Sequence, residues 1–320
     1  MAQFIQRAHQ DPSAIRDELI VGLQMAQATT SPKYLYDALG SRLFEAICEL
    51  PEYYPTRTEA AIFTQYADQI AASVGIGRTM IDLGAGNCAK AAGLFGVLQP
   101  THYVPVDISV DFLRGAVGNL QQRFPSIEMT GLGVDFSAPF ALPHNVGPAQ
   151  RFFFYPGSSI GNFTPTEARA FLHRLALQCG DDGGLLVGVD MVKDAALLDA
   201  AYDDALGVTA AFNLNLLNHL NQLLEADFDV RQWCHVAFYN PALSRVEMHL
   251  EARQDTNVHW RGGSRAFAQR QRIHTESSYK YTPQSFAALL EDAGFEARRG
   301  WTDAQGWFMI WHARGKAIAR

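Results

Sequence analysis

The chain has 320 residues, 48% of them hydrophobic and 18% charged, a globular composition that leaves little room for a disordered tail. Its net charge of −7 opposes the broad basic surface that nucleic-acid phosphates require, so no nucleic-acid partner is expected. Residues 1–13 are too polar for a leader segment, and no run reaches the ~18 apolar residues of a membrane span, so a cytoplasmic protein without a membrane partner is expected.

Cys48, Cys88, Cys179 and Cys234 are scattered without a C-x-x-C pair, which suits reduced thiols and neither a disulfide frame nor a zinc knuckle. The ten histidines include no H-E-x-x-H, and no metal site is expected. No internal repeat or low-complexity segment interrupts the chain.

In chain order, Ile15, Leu19, Ile20 and Leu23 recur on one side of a helix, and a second helix is predicted over Tyr36–Leu50. Pro51 and Pro55 bracket an extended or turning segment, because proline disfavours helix at the residue before it. A helix resumes over Thr58–Ser73, with Ile62, Phe63, Tyr66 and Ile70 at helical spacing. Short apolar runs then alternate with helix-length stretches, at Thr79–Leu83, Tyr103–Ile108, Arg151–Tyr155 and Leu185–Val189. This alternation predicts parallel strands joined by crossover helices, an open doubly wound α/β sheet. Ligands in such sheets bind beyond the carboxyl ends of the strands, where the strand order reverses.

Beyond Met191 a helical stretch is predicted over Ala195–Phe228, then β-rich segments at His235–Tyr239, Arg245–Ala252 and Gly306–Ala313. Val246, Met248 and Leu250 alternate onto one face, as in a half-buried antiparallel sheet. Gly262-Gly263-Ser264 is the best hairpin candidate. The expected organisation is a Rossmann-like domain over 57–190, with 1–56 and 191–320 together forming a second, α+β domain.

Ile81-Asp82-Leu83-Gly84-Ala85-Gly86-Asn87 carries the first strand into a helix, and Gly84 and Gly86 let the backbone turn tightly and a ligand approach. The second strand ends in Asp107, 21 residues after Gly86, where a carboxylate can accept both ribose hydroxyl protons of an adenosine. A dinucleotide loop needs a third glycine to seat the pyrophosphate, and here Ala89 and Lys90 follow. Asp135-Phe136, after Gly133-Val134, offers a carboxylate and a ring for an adenine, or else a plain strand end. The ordered set favours S-adenosylmethionine over a nicotinamide cofactor, with Gly84, Gly86, Lys90, Asp107, Asp135 and Phe136 as its expected binding residues. Methyl transfer suits a chain without a nucleophile triad, since the sulfonium is already activated and positioning carries the catalysis. After the Arg151–Tyr155 strand, Asn162 lies where an acceptor is held, unless it is a cap or turn residue.

Tyr36-Asp37-Ala38-Leu39-Gly40-Ser41, Leu50-Pro51-Glu52-Tyr53-Tyr54-Pro55-Thr56-Arg57, Gly157-Ser158-Ser159-Ile160-Gly161-Asn162, Tyr202-Asp203-Asp204, Gly207 to Asn213, Arg245-Val246-Glu247-Met248 and Thr275 to Lys280 closely resemble the histidine N-α-methyltransferases of ergothioneine biosynthesis. The resemblance runs from about residue 30 to 282, with 1–30 and 254–272 matching poorly. It implies methylation of free L-histidine to its N-α-trimethyl form, hercynine, by a monomer with a substrate-binding second domain. It places Tyr53, Asn162 and Tyr202 around the amino acid's carboxylate and amine, with Tyr36 near the amine. Tyr36, Tyr53 and Asn162 are the expected catalytic set, while Glu276 and Ser278 read the imidazole and Met248 packs on the ring. The donor loop has Ala85 and Asn87 where relatives commonly carry Ser or Thr, and Ser277 stands where an aliphatic residue is frequent. The competing expectation is the same chemistry on another amino acid or aromatic amine such as tryptophan.

Overall fold

A computed structural model of the chain describes residues 3–6, 11–108, 110–179 and 182–316. The elements in chain order begin with β1 (Gln3–Gln6), α1 (Pro12–Gln24), β2 (Ala28–Thr29), α2 (Ala38–Cys48), α3 (Tyr54–Gln65) and α4 (Ala67–Val74). Next come β3 (Thr79–Leu83), α5 (Ala89–Leu98), β4 (His102–Asp107), α6 (Val110–Arg123), β5 (Glu128–Gly133), β6 (Arg151–Tyr155), α7 (Pro165–Cys179) and β7 (Gly184–Asp190). The remainder is α8 (Ala195–Tyr202), α9 (Val208–Leu224), β8 (Trp233–Asn240), β9 (Arg245–Ala252), β10 (Thr256–Trp260), β11 (Gly263–Phe267), β12 (Arg272–Tyr279), α10 (Pro283–Asp292), β13 (Phe295–Thr302) and β14 (Phe308–Gly315).

The chain divides into two units, one formed by described residues of 1–9, 57–191 and 281–320, the other by 10–56 and 192–280. The first is built on an eight-stranded sheet in the order β1-β5-β4-β3-β6-β7-β14-β13. Strands β1 to β7 of that sheet run parallel, and β14 and β13 add an antiparallel hairpin at the edge. The predicted strands at 79–83 and 151–155 have the observed bounds. Every residue of β7 is buried, as a central parallel strand covered on both faces requires. One face packs Met80, Phe152, Phe154 and Leu186 against Ile62, Phe63, Leu94, Phe95 and Leu113 of the helices.

The second unit holds a four-stranded sheet, β2-β12-β9-β8, and the hairpin of β10 and β11. The hairpin turns at Arg261-Gly262, where Gly262 takes φ +92°, close to the expected turn. The segment 254–272, expected to depart from the resembled family, contains the whole of this hairpin.

Four expectations are corrected. Neither the described residues of 1–9 nor those of 281–316 join the second unit, because β1 pairs with β5, and β14 pairs along β7 from Asp190 to Gly184 and carries β13 with it. The long helix expected over Ala195–Phe228 breaks between Tyr202 and Val208, where Asp204 turns its carboxylate onto the Val208 and Thr209 N–H groups and caps α9. Likewise, the Thr58–Ser73 helix begins earlier, at Tyr54, and breaks at Tyr66; Pro55 sits in its first turn, where no N–H bond is lost. The β9 sheet is not half-buried either: Val246, Met248 and Leu250 are buried, but so are Glu247 and His249 on the opposite face.

Candidate active site

In the first unit the chain runs outward from β3 through β4 to β5, then returns to the other side of β3 with β6 and β7. The order therefore reverses between β3 and β6, and their carboxyl ends carry the glycine loop and the Pro156-Gly157 turn. Gly84 and Gly86 both adopt left-handed φ values, +71° and +51°, which side chains resist. The N–H groups of Gly84 and Ala85 donate to the Val106 carbonyl (2.9 and 3.2 Å) and that of Gly86 to the Asp107 carboxylate (2.9 Å). The three amides are thus spent on the end of β4 instead of being presented as a row to a pyrophosphate. A Cβ on Gly86 would meet open space, whereas one on Gly84 would touch the Phe136 ring at 3.5 Å. Phe136 is held edge-on by Tyr155, with ring centroids 5.9 Å apart.

Lys90, in the first turn of α5, has its ammonium 2.6 Å from Glu59. Glu59 is 1% exposed, and its second oxygen accepts from the Gly157 N–H at 2.7 Å. One buried carboxylate therefore fixes both the lysine after the glycine loop and the turn after β6. Beneath the loop, Asp82 accepts from the Tyr103 hydroxyl at 2.6 Å, and burial raises its carboxyl to about 7 despite that bond. Asp135 accepts from the Ser137 N–H at 3.0 Å and so also serves its own turn. Asn162 ends the short 3-10 helix Ser159–Asn162, half-buried, and among the described residues its amide makes no hydrogen bond, so it is not a cap. The glycines, Lys90, Asp107 and Phe136 fit S-adenosylmethionine: a loop open above Gly86, a carboxylate at a strand end, a ring and an ammonium.

In the second unit an edge-to-face series of rings runs from Phe212 to Tyr36 (5.5 Å), Phe44 (5.5 Å), Tyr53 (6.2 Å) and Tyr202 (6.3 Å). Several residues of the motif around Tyr36 hold it in place. Asp37 caps α2 by accepting from Gly40 N–H (2.6 Å) and also receives the Asn215 amide (2.8 Å). Gly40 is required because a Cβ there would lie 1.8 Å from the Leu35 carbonyl oxygen. Tyr53 keeps its proton, since burial and then the neighbouring Tyr202, Cys48, Tyr36 and Glu276 push its ionisation well above the usual range.

Strand β12 brings Glu276 and Ser278 to these rings. Glu276 lies opposite Met248 and Ser278 opposite Val246, and the register slips at Thr275. That bulge inserts one residue, so Glu276 and Ser278 take the face that Ile273 occupies before it. The Tyr202 hydroxyl donates to Ser278 Oγ at 2.8 Å. Lys280, also buried, donates to Ser278 Oγ at 2.7 Å and to the Tyr202 oxygen at 3.1 Å, with its ammonium 4.9 Å over the Tyr202 ring. Burial raises the Glu276 carboxyl to about 7, and Lys280 draws it down.

The structure thus gathers Tyr36, Tyr53, Tyr202, Met248, Glu276 and Ser278 within the second unit, and Gly84, Gly86, Lys90, Asp107 and Phe136 in the first, which also contains Asp135 and Asn162. Sequence reasoning passed over Glu59 and Lys280. Glu59 had a signal, an acidic residue three and four positions before Ile62 and Phe63 on the apolar side of α3; Lys280 had one in its alternation with Glu276 and Ser278.

This strand order, together with a glycine loop bonded to the carboxylate that ends β4, suits an S-adenosylmethionine-dependent methyltransferase. A family model described as histidine-specific methyltransferase, SAM-dependent, matches residues 15–315, and the chain belongs to that family. The chain is 40% identical over 303 residues to a histidine N-alpha-methyltransferase of Mycolicibacterium smegmatis, covering 92% of this chain and 93% of that one. A second protein of that name, from Mycobacterium tuberculosis, is 38% identical with the same coverage. Ergothioneine biosynthesis protein 1 of Neurospora crassa is 30% identical over 84% of this chain, which spans 31% of that protein's length. The residues quoted above for the resemblance thus carried a true family signal. No helix among the described residues is long and apolar enough to cross a membrane.

Proposed function

We propose that the chain transfers three methyl groups in succession to the α-nitrogen of free L-histidine, giving hercynine, the first step of ergothioneine biosynthesis. The observation that carries this reading is the pairing of Glu276 and Ser278 on one face of β12, beside the phenol series of Tyr53 and Tyr202. A carboxylate and a hydroxyl at that spacing suit the two nitrogens of an imidazole, and a phenyl ring would satisfy neither the carboxylate nor the Ser278 O–H. Met248, opposite Glu276, offers an apolar contact for the ring face.

The first unit is assigned the donor and the second the amino acid. When bound, S-adenosylmethionine would supply an electrophilic methyl group; Gly84, Gly86, Asp107, Asp135 and Phe136 would hold its nucleoside and Lys90 its carboxylate. The acceptor nitrogen must present a free lone pair, so each of the first two transfers is followed by loss of one proton before the next. Tyr36 and Tyr53 hold the nitrogen by hydrogen bonds without surrounding it with negative charge, which would raise its pKa and hide the lone pair. Tyr202 takes the carboxylate. The same reading treats the protein as a cytoplasmic monomer.

Mass spectrometry of histidine incubated with the protein and S-adenosylmethionine tests the reaction, with trimethylhistidine as the expected product. Glu276→Ala should lower turnover of histidine relative to phenylalanine and tryptophan by at least tenfold. Unchanged discrimination would refute the imidazole assignment.

A further inference from the structure

Lys280 has no part in the reaction just described, yet it is a buried cation bonded to one of the two imidazole readers. An ammonium only donates, whereas a hydroxyl carries one hydrogen and two lone pairs. Lys280 donates to the Tyr202 oxygen, and the phenol's own hydrogen goes to Ser278. Ser278 Oγ receives a second hydrogen from Lys280 itself. Both of its lone pairs are therefore committed, and what Ser278 retains for a ligand is its O–H.

A ring lying between Ser278 and an ionised Glu276 must then offer one lone pair and one N–H. Neutral imidazole does so in a single tautomer. Imidazolium has two N–H groups, one of which would face the Ser278 hydrogen with the Lys280 charge behind it. We propose that Lys280 is a positioning residue that determines specificity: by fixing Ser278 as a donor, it makes the site read the neutral imidazole in one tautomer and reject imidazolium. This rests on Glu276 and Ser278 being the imidazole readers.

The test is nitrogen NMR of ring-labelled trimethylhistidine bound to the full-length protein with S-adenosylhomocysteine at pH 7, where about half of the Glu276 carboxyls are ionised and a carboxylate beside the ring would by itself hold it as imidazolium. The expected bound spectrum shows two widely separated ring nitrogens, one carrying hydrogen and one not. In Lys280→Met the Ser278 hydroxyl regains an accepting lone pair, and the bound ring should move to the paired signals of imidazolium. Imidazolium signals in the wild type overturn the proposal without any variant, as does a folded Lys280→Met protein that still holds the neutral ring. Glu276→Gln separates the two levels of the argument. If it leaves the bound ring signals unchanged, the imidazole lies elsewhere and the reading beneath falls too; if it shifts them while the wild-type ring is imidazolium, only the role of Lys280 is lost.

Discussion

Glu276 makes ligand binding depend on pH in a calculable way. Its carboxyl is raised by burial to about 7, so acidification through neutrality converts the acceptor that the imidazole N–H needs into a neutral acid. The sign is therefore fixed: affinity rises with pH through 7. Trimethylhistidine is the suitable ligand because its quaternary nitrogen does not titrate. Taking about 7 for Glu276 and ~6.5 for the free ring, the fraction with both groups deprotonated falls roughly 40-fold from pH 8 to pH 6. In Glu276→Gln the ring alone titrates, and the fall shrinks to about 4-fold over the same interval, from a weaker starting affinity. Calorimetric titration at several pH values measures both profiles. A wild-type affinity independent of pH, or a Gln variant with the wild-type slope, would refute the reasoning, because one carboxylate is asked to account for the whole difference.

Glu59→Gln keeps an oxygen for the Gly157 N–H but turns an amide toward the Lys90 ammonium. It should lower unfolding stability by about 1–3 kcal/mol, toward the smaller value because Lys90 is partly solvated, and weaken S-adenosylhomocysteine binding about tenfold; urea unfolding and calorimetry check the two effects, and a variant unchanged in both would show that Glu59 positions nothing. Gly40→Ala drives a Cβ into the Leu35 carbonyl 1.8 Å away, so the backbone before Tyr36 must shift, at a cost of about 1–3 kcal/mol, together with weaker histidine binding; an unaltered unfolding midpoint would contradict it.

Much of the first unit was legible in the sequence because parallel strands buried on both faces read as short apolar runs. Thr79–Leu83 and Arg151–Tyr155 stand where the runs placed them, and the glycines and Asp107 follow directly. The last forty residues were not legible in this way. Alternation identifies β14 as a strand but does not name its partner, and pairing with β7 follows from edge geometry that only the folded sheet possesses. Similarly, apolar spacing continues through the break between α8 and α9, whereas the Asp204 cap that ends it is a local bond invisible to periodicity.

By itself the sequence determined the doubly wound class, the glycine loop with the carboxylate that meets it, and the family, since these depend on contiguous motifs and on the period of apolar residues. Tertiary structure decided which side chains share a site. Strand alternation alone would set Thr275, and not Glu276, on the face of Ile273; the bulge at Thr275 reverses that, placing Glu276 opposite Met248 and Ser278 opposite Val246. It also decided the direction of hydrogen bonding at Ser278, where a buried ammonium and a phenol from α8 meet one hydroxyl. Register and hydrogen-bond direction are properties of pairs of segments, fixed when strands align and when buried polar groups must all find partners.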